Sequence, residues 1–164
     1  MNKKNKKAAA VFWILSVLCM GVIFLFSAFP AEESANQSLF ILKLLIRIAE
    51  KFIDISNLKD IDAMFIIRKT AHCLEYTGLS FLLNWAYYFT RGKLSVIPAV
   101  LTASAYAVTD ELHQSFVSGR SCEIRDWAID SLGAVLGAIA FIIVLKFITE
   151  IIMKRKIAKN KQVN

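Results

Sequence analysis

The sequence predicts an all-α integral membrane protein with four transmembrane helices and one interfacial amphipathic helix between the first and second. Three observations carry that prediction. Hydrophobic residues make up 57% of the 164, and the mean hydropathy is +0.53, well above an ordinary soluble domain. The apolar excess is gathered into stretches of roughly twenty residues, the length a helix needs to cross a bilayer. The formal net charge of +7 is concentrated at the two tails and in one short turn beside apolar runs, the pattern of topogenic charge. A folded basic face for nucleic acid would distribute it differently, so no nucleic-acid partner is expected. The length suits one domain, taken as 1–164.

The first span is read at about 8–29. Lys3, Lys4, Lys6 and Lys7 precede it, which resembles a signal peptide. The apolar run, however, exceeds the usual h-region, and Ala28-Phe29-Pro30 is a poor cleavage site. It reads as an uncleaved helix stopped by Pro30 and Glu32-Glu33. In residues 36–54, Lys43, Arg47, Glu50, Lys51 and Asp54 recur at spacings of three and four. They form one polar stripe on an apolar segment, the mark of a helix lying in the interface. The second span is read at about 66–89, with Trp85, Tyr87 and Tyr88 as an interfacial aromatic belt. After the basic turn Thr90-Arg91-Gly92-Lys93 comes the third, about 94–112, with a slight kink expected at Pro98. The fourth, about 126–147, carries Gly133 and Gly137 at the small-xxx-small spacing of close helix packing.

Four spans put both termini on one side. That side holds both lysine-rich tails and the Arg91-Gly92-Lys93 turn, so both termini are placed in the cytoplasm of a multi-pass cell-membrane protein. Arg68 and Lys69 oppose this locally and are outvoted. The cysteines Cys19, Cys73 and Cys122 form no metal pair; a bridge between Cys73 and Cys122 is conceivable, but an odd count implies no disulfide framework.

The informative feature is a set of ionisable residues kept inside or at the ends of apolar spans, where each is costly. Arg68, His72, Glu75 and Tyr76 share a face of the second helix, and Glu75 lies about 10 Å along the axis from Arg68. Asp110, Glu111, His113 and Gln114 end the third helix. Arg120 and Arg125 lie in the following loop, and Asp126 and Asp130 share a face of the fourth helix. The topology brings all of them to one leaflet. Each also has a structural reading. Arg68 and Lys69 serve as snorkelling anchors, His72 with Glu75 as a satisfied buried pair, and Asp126 as a helix cap. Asp110 and Glu111 read as a solvated helix end balanced by Arg120 or Arg125. His113 reads as a surface residue.

In order, Arg68-Lys-x-x-His72-x-x-Glu75-Tyr76, Asp110-Glu111-x-x-Gln114-x-Phe116, Gly119-Arg120 and Asp126-x-x-x-Asp130-x-x-Gly133 resemble the VanZ-like family of bacterial membrane proteins. The stretch from Phe26 to Ser34 is similar to that family's segment after the first helix. Asp130 departs from the Asn that many members carry; either residue accepts a hydrogen bond. The resemblance implies a link to reduced susceptibility to the glycopeptide teicoplanin, with no established biochemical mechanism.

Three classes of function follow. The first is a binding protein holding a lipid headgroup, a cell-wall precursor or the glycopeptide through Arg68, His72, Glu75, Tyr76, Asp110, Glu111, Gln114, Arg120, Asp126 and Asp130. The second is a membrane enzyme acting on a lipid-linked envelope substrate, using His72 with Glu75 or Asp110 as base and orienter, with or without a divalent metal. The third is a structural or partner-binding subunit. No P-loop, dinucleotide fingerprint, serine elbow or HExxH occurs, so no reaction is defined and the reading leans away from an enzyme. No cofactor and no metal are expected, although several of these residues are metal-capable types. The oligomeric state is open. Four spans without a visible internal repeat argue against a stand-alone transporter.

Overall fold

The computed structural model describes residues 3–34, 36, 39–40, 43 and 60–161, all helical or irregular, with no strand among them. Among the described residues run the helices α1 (Lys3–Ser27), α2 (Asp60–Arg91), α3 (Ile97–Gln114) and α4 (Ile124–Lys161), and residues 31–34 are helical as well. The interfacial helix expected at 36–54 lies outside the described residues, apart from 36, 39, 40 and 43. By length and composition, α1 and α4 are apolar enough to cross a membrane.

Each helix overruns or shifts its expected apolar window, because a backbone hydrogen-bond ladder need not stop where hydrophobicity does. α4 is the extreme case: it continues to Lys161, far past the expected limit of 147. α3 begins at Ile97, so Pro98 falls in its first turn. There the missing N–H has no intrahelical partner to lose, and the expected kink is replaced by a helix start.

α2 is the central element, packed against each of the other three. It runs parallel to α4 with a constant offset. Lys69 meets Asp126, 57 residues on, and Thr77 Oγ1 donates to the Gly133 carbonyl at 3.1 Å, 56 residues on. Trp85 meets Phe141 at the same offset, ring centroids 4.9 Å apart. Gly133 and Gly137 make this seam possible. A Cβ at Gly133 would overlap the Cys73 carbonyl, and one at Gly137 would overlap the Thr77 carbonyl and approach Ser80 Cβ at 2.9 Å. The pair thus packs helices within one chain.

α3 approaches through Ala99, Ala103 and Ala107, each fully buried and four residues apart. They meet Tyr76, Leu79 and Leu83 of α2, Ile23 of α1 and Ala134 of α4 in one core. Trp85 is only 8% exposed and stacks on Phe12 and Phe89, so it belongs to this interior rather than to an outer belt. The outward faces are aliphatic: Ile14, Leu18, Leu25, Leu101 and Ile143 are all exposed. Such a continuous apolar exterior over a core holding polar side chains suits lipid, not water.

Candidate functional site

The parallel pairing of α2 with α4, and the opposite direction of α1 and α3, bring four chain segments to one end of the bundle. They are the last turn of α1, the N-terminal half of α2, the last turns of α3 and the first turns of α4. The loop from Ser115 to Glu123 closes over them. Its Ser118 carbonyl accepts a 3.2 Å bond from Ala31 N–H, which ties the segment after α1 to the same loop. Gly119 turns the loop at a φ of +75°, with Ala31 Cβ 3.1 Å from where its own Cβ would sit. A side chain there would be strained and crowded together.

Gln114, 4% exposed, is the hub. Its amide nitrogen donates to Ser27 Oγ at 2.7 Å and to Asp110 Oδ2 at 3.0 Å. Its amide oxygen accepts from Arg120 Nη1 at 3.1 Å. Both donors and the acceptor of the amide are therefore used, which fixes its rotamer and the position of Arg120. Glu111 Oε2 accepts the Glu123 backbone N–H at 3.0 Å. It holds the loop just ahead of α4, a positioning role. Arg125 Nη2 bonds Glu123 Oε2 at 2.9 Å.

Lys69 donates to Asp126 Oδ2 across the α2–α4 seam, with their side chains only 10% and 18% exposed. Lys69 is thus a buried ion-pair partner and not a snorkelling anchor. The helix starts at Ile124, so Asp126 sits inside the first turn rather than at the cap, still favourably placed for the helix dipole. His72 Nδ1 lies 3.5 Å from Glu75 Oε2 without hydrogen-bond geometry, so this pair is not the satisfied one expected.

Arg68, His72, Gln114, Gly119, Arg120, Ser121, Glu123 and Asp126 surround a cavity of about 60 Å³. That is room for a few waters or one phosphate- or carboxylate-sized group. Several buried atoms at this end have no hydrogen-bond partner among the described residues. Arg120 Nε and His72 Nδ1 belong to cavity-lining side chains, as does the acceptor Asp126 Oδ1. Tyr76 OH, Asp110 Oδ1 and both Asp130 oxygens lie deeper in the bundle. The Arg68 guanidinium makes no hydrogen bond or ion pair among the described residues and lies close enough to Arg120 to repel it. Burial and that neighbouring charge press the Arg120 pKa below its ordinary value. Arg68 and Arg120 thus line one small cavity, and a guanidinium is the planar donor group that pairs best with a carboxylate or phosphate.

Of the residues singled out in the sequence, Arg68, His72, Gln114, Arg120 and Asp126 meet at the cavity. Asp110 lies behind Gln114 and Glu111 behind the loop, while Glu75, Tyr76 and Asp130 lie deeper. Among the described residues, no three His, Cys, Asp or Glu side chains are placed to share a metal ion. His113 stacks on Phe24 at 4.2 Å between centroids. Cys19, Cys73 and Cys122 are free thiols, so the conceivable Cys73–Cys122 bridge is not formed.

Sequence reasoning missed Ser27, Gly119, Ser121 and the pairing of Lys69. Gly119-Arg120 stood in the family pattern, so the glycine was a readable signal. Ser27 lay in the Phe26–Ser34 stretch that resembles the family's, but nothing in it pointed to a partner 87 residues away.

The family model described as VanZ/LLP1 matches residues 12–146. No curated protein and no solved structure matches the chain.

Proposed function

This chain belongs to the VanZ-like family, and on that premise we propose that it is a four-span cell-membrane protein whose polar cavity binds an anionic group of an envelope lipid or cell-wall precursor, lowering susceptibility to teicoplanin. The single observation that carries the reading is the convergence of Arg68 and Arg120, from separate elements, on one small cavity. Their mutual repulsion is relieved by a bound anion, to which guanidinium N–H groups offer charge-assisted hydrogen bonds. The cavity size favours a phosphate or carboxylate and is far too small for the antibiotic itself. Binding at the outer leaflet would thus act on the antibiotic's envelope target rather than sequester the drug. No activated nucleophile lines the cavity, so binding accounts for the arrangement better than catalysis.

The test compares teicoplanin susceptibility of a sensitive host expressing the wild type, Arg68→Lys or Arg120→Lys, with membrane abundance followed by blot. Lysine keeps the charge but loses the planar fork. Each change is expected to weaken anion binding about 10- to 100-fold, the worth of one charge-assisted hydrogen bond, and to remove protection at undiminished abundance. Loss of protection only in step with loss of protein would make the cluster scaffolding.

The termini and the basic Arg91–Lys93 turn face the cytoplasm in this reading, and the cavity faces outward. Cys122 is a built-in reporter, being exposed and free in the loop over the cavity. In a chain with Cys19→Ala and Cys73→Ser, a membrane-impermeant maleimide is expected to label Cys122 in intact cells. Labelling only after lysis would invert the topology.

A further inference from the structure

α4 outlasts the bundle. With α2 and α4 parallel at an offset of 56 residues, Arg91 at the end of α2 stands level with Phe147. Residues 148–161 of α4 therefore project about 20 Å beyond, at 1.5 Å per residue. Where α4 leaves the bundle, one of its faces and Leu94 of the α2–α3 turn enclose an open groove of about 490 Å³. Ile142, Leu145 and Met153 form its apolar floor, and Lys146 and Lys154 stand on its rim. Leu94 is 54% and Met153 60% exposed.

Neither rim lysine makes an ion pair among the described residues. Glu150 also lines the groove, four residues from each, and favours holding both on one side of the helix. Arg91 and Lys93 add charge at the same level. The groove straddles the level at which the bundle ends, with Leu94, Ile142 and Leu145 on the bundle side, Lys146 at that level, and Lys154 beyond it past Glu150. That is the profile of a lipid with its chains in hydrocarbon and its phosphate at the interface.

We infer that this groove binds one anionic phospholipid of the leaflet at the end of the bundle away from the polar cavity. An acyl chain lies along Leu94, Ile142 and Leu145, and the phosphate is held at Lys146, level with Arg91 and Lys93, with Lys154 adding positive charge beyond Glu150. A second copy of the chain is a poorer occupant. It would set Lys146, Lys154, Arg155, Lys156 and Lys159 against the same cations, with Glu150 the one acid on this stretch.

Native mass spectrometry of the full chain in a neutral detergent, titrated with phosphatidylglycerol or phosphatidylcholine, tests this. One phosphatidylglycerol is expected to be retained in preference to phosphatidylcholine. Lys146→Gln/Lys154→Gln should weaken its binding roughly thirtyfold, five- to sixfold for each cation lost at the headgroup. Arg155→Gln/Lys159→Gln removes the same charge from the opposite face of α4 and should leave binding unchanged. All these side chains are exposed, so both variants keep the fold. Three results would each overturn the inference: equal weakening by the two variants, equal retention of the two lipids, or a dimer that excludes the lipid.

Discussion

Lys69→Met is expected to lower stability by about 3 kcal/mol. Breaking a buried ion pair typically costs 3–5 kcal/mol, because the remaining charge stays desolvated. The lower end applies here, since Arg125 Nε remains 4.0 Å from Asp126 Oδ1. For a chain of this size, about 3 kcal/mol corresponds to a fall of roughly 6–12 °C in thermal midpoint, readable by fluorescence-detected size exclusion in detergent. The double change Lys69→Met/Asp126→Leu removes both charges and should recover most of the loss, because an apolar pair of similar volume needs no solvation. If the double variant melts no higher than Lys69→Met, the seam between α2 and α4 is not held by this pair.

The second large effect concerns the same seam lower down. Gly133→Ala and Gly137→Ala each drive a Cβ into the α2 backbone, where nothing flexible can yield. Each is expected to cost about 1–3 kcal/mol, the usual range for overpacking. Together they should force α2 and α4 apart, carrying Asp126 away from Lys69 and dismantling the cavity with it. Gly78→Ala is the contrast. It lies inside α2 with nothing within 4 Å of the added atom, so the change should stabilise by about 0.5–1 kcal/mol through helix propensity alone. Thermal midpoints of the three variants decide the matter; a neutral Gly137→Ala would mean that the helices sit further apart than described.

The structure also orders the polar residues by task. Gln114 spends its whole amide on Ser27, Asp110 and Arg120, and Glu111 holds the loop. Arg68, His72 and Arg120 line the cavity beside them. The oxygens of Asp130, deeper in the bundle, have no hydrogen-bond partner among the described residues.

The amino-acid sequence by itself determined the helical class, the apolar runs, the basic tails and the convergence of polar residues on one end. Those are periodic or additive properties: a period of 3.6, a length of about twenty residues and a charge imbalance can be read along one dimension. Gly133 and Gly137 likewise announced a close approach, since only a missing side chain permits one. The tertiary structure alone decided who meets whom. Lys69 lies next to Arg68 in the chain, yet the rotation of α2 turns one to a buried partner 57 residues away and leaves the other facing the cavity. Arg120 and Arg125 looked interchangeable as loop cations, but the left-handed turn at Gly119 sends Arg120 inward to Gln114, while Arg125 pairs with Glu123. Trp85 was expected at a membrane surface and is buried against Phe141 instead. The groove on α4 was invisible because it depends on where α2 stops relative to α4. That is a matter of register between two helices, set by which α2 residues meet Gly133 and Gly137, and one helix's sequence does not say where its neighbour will sit.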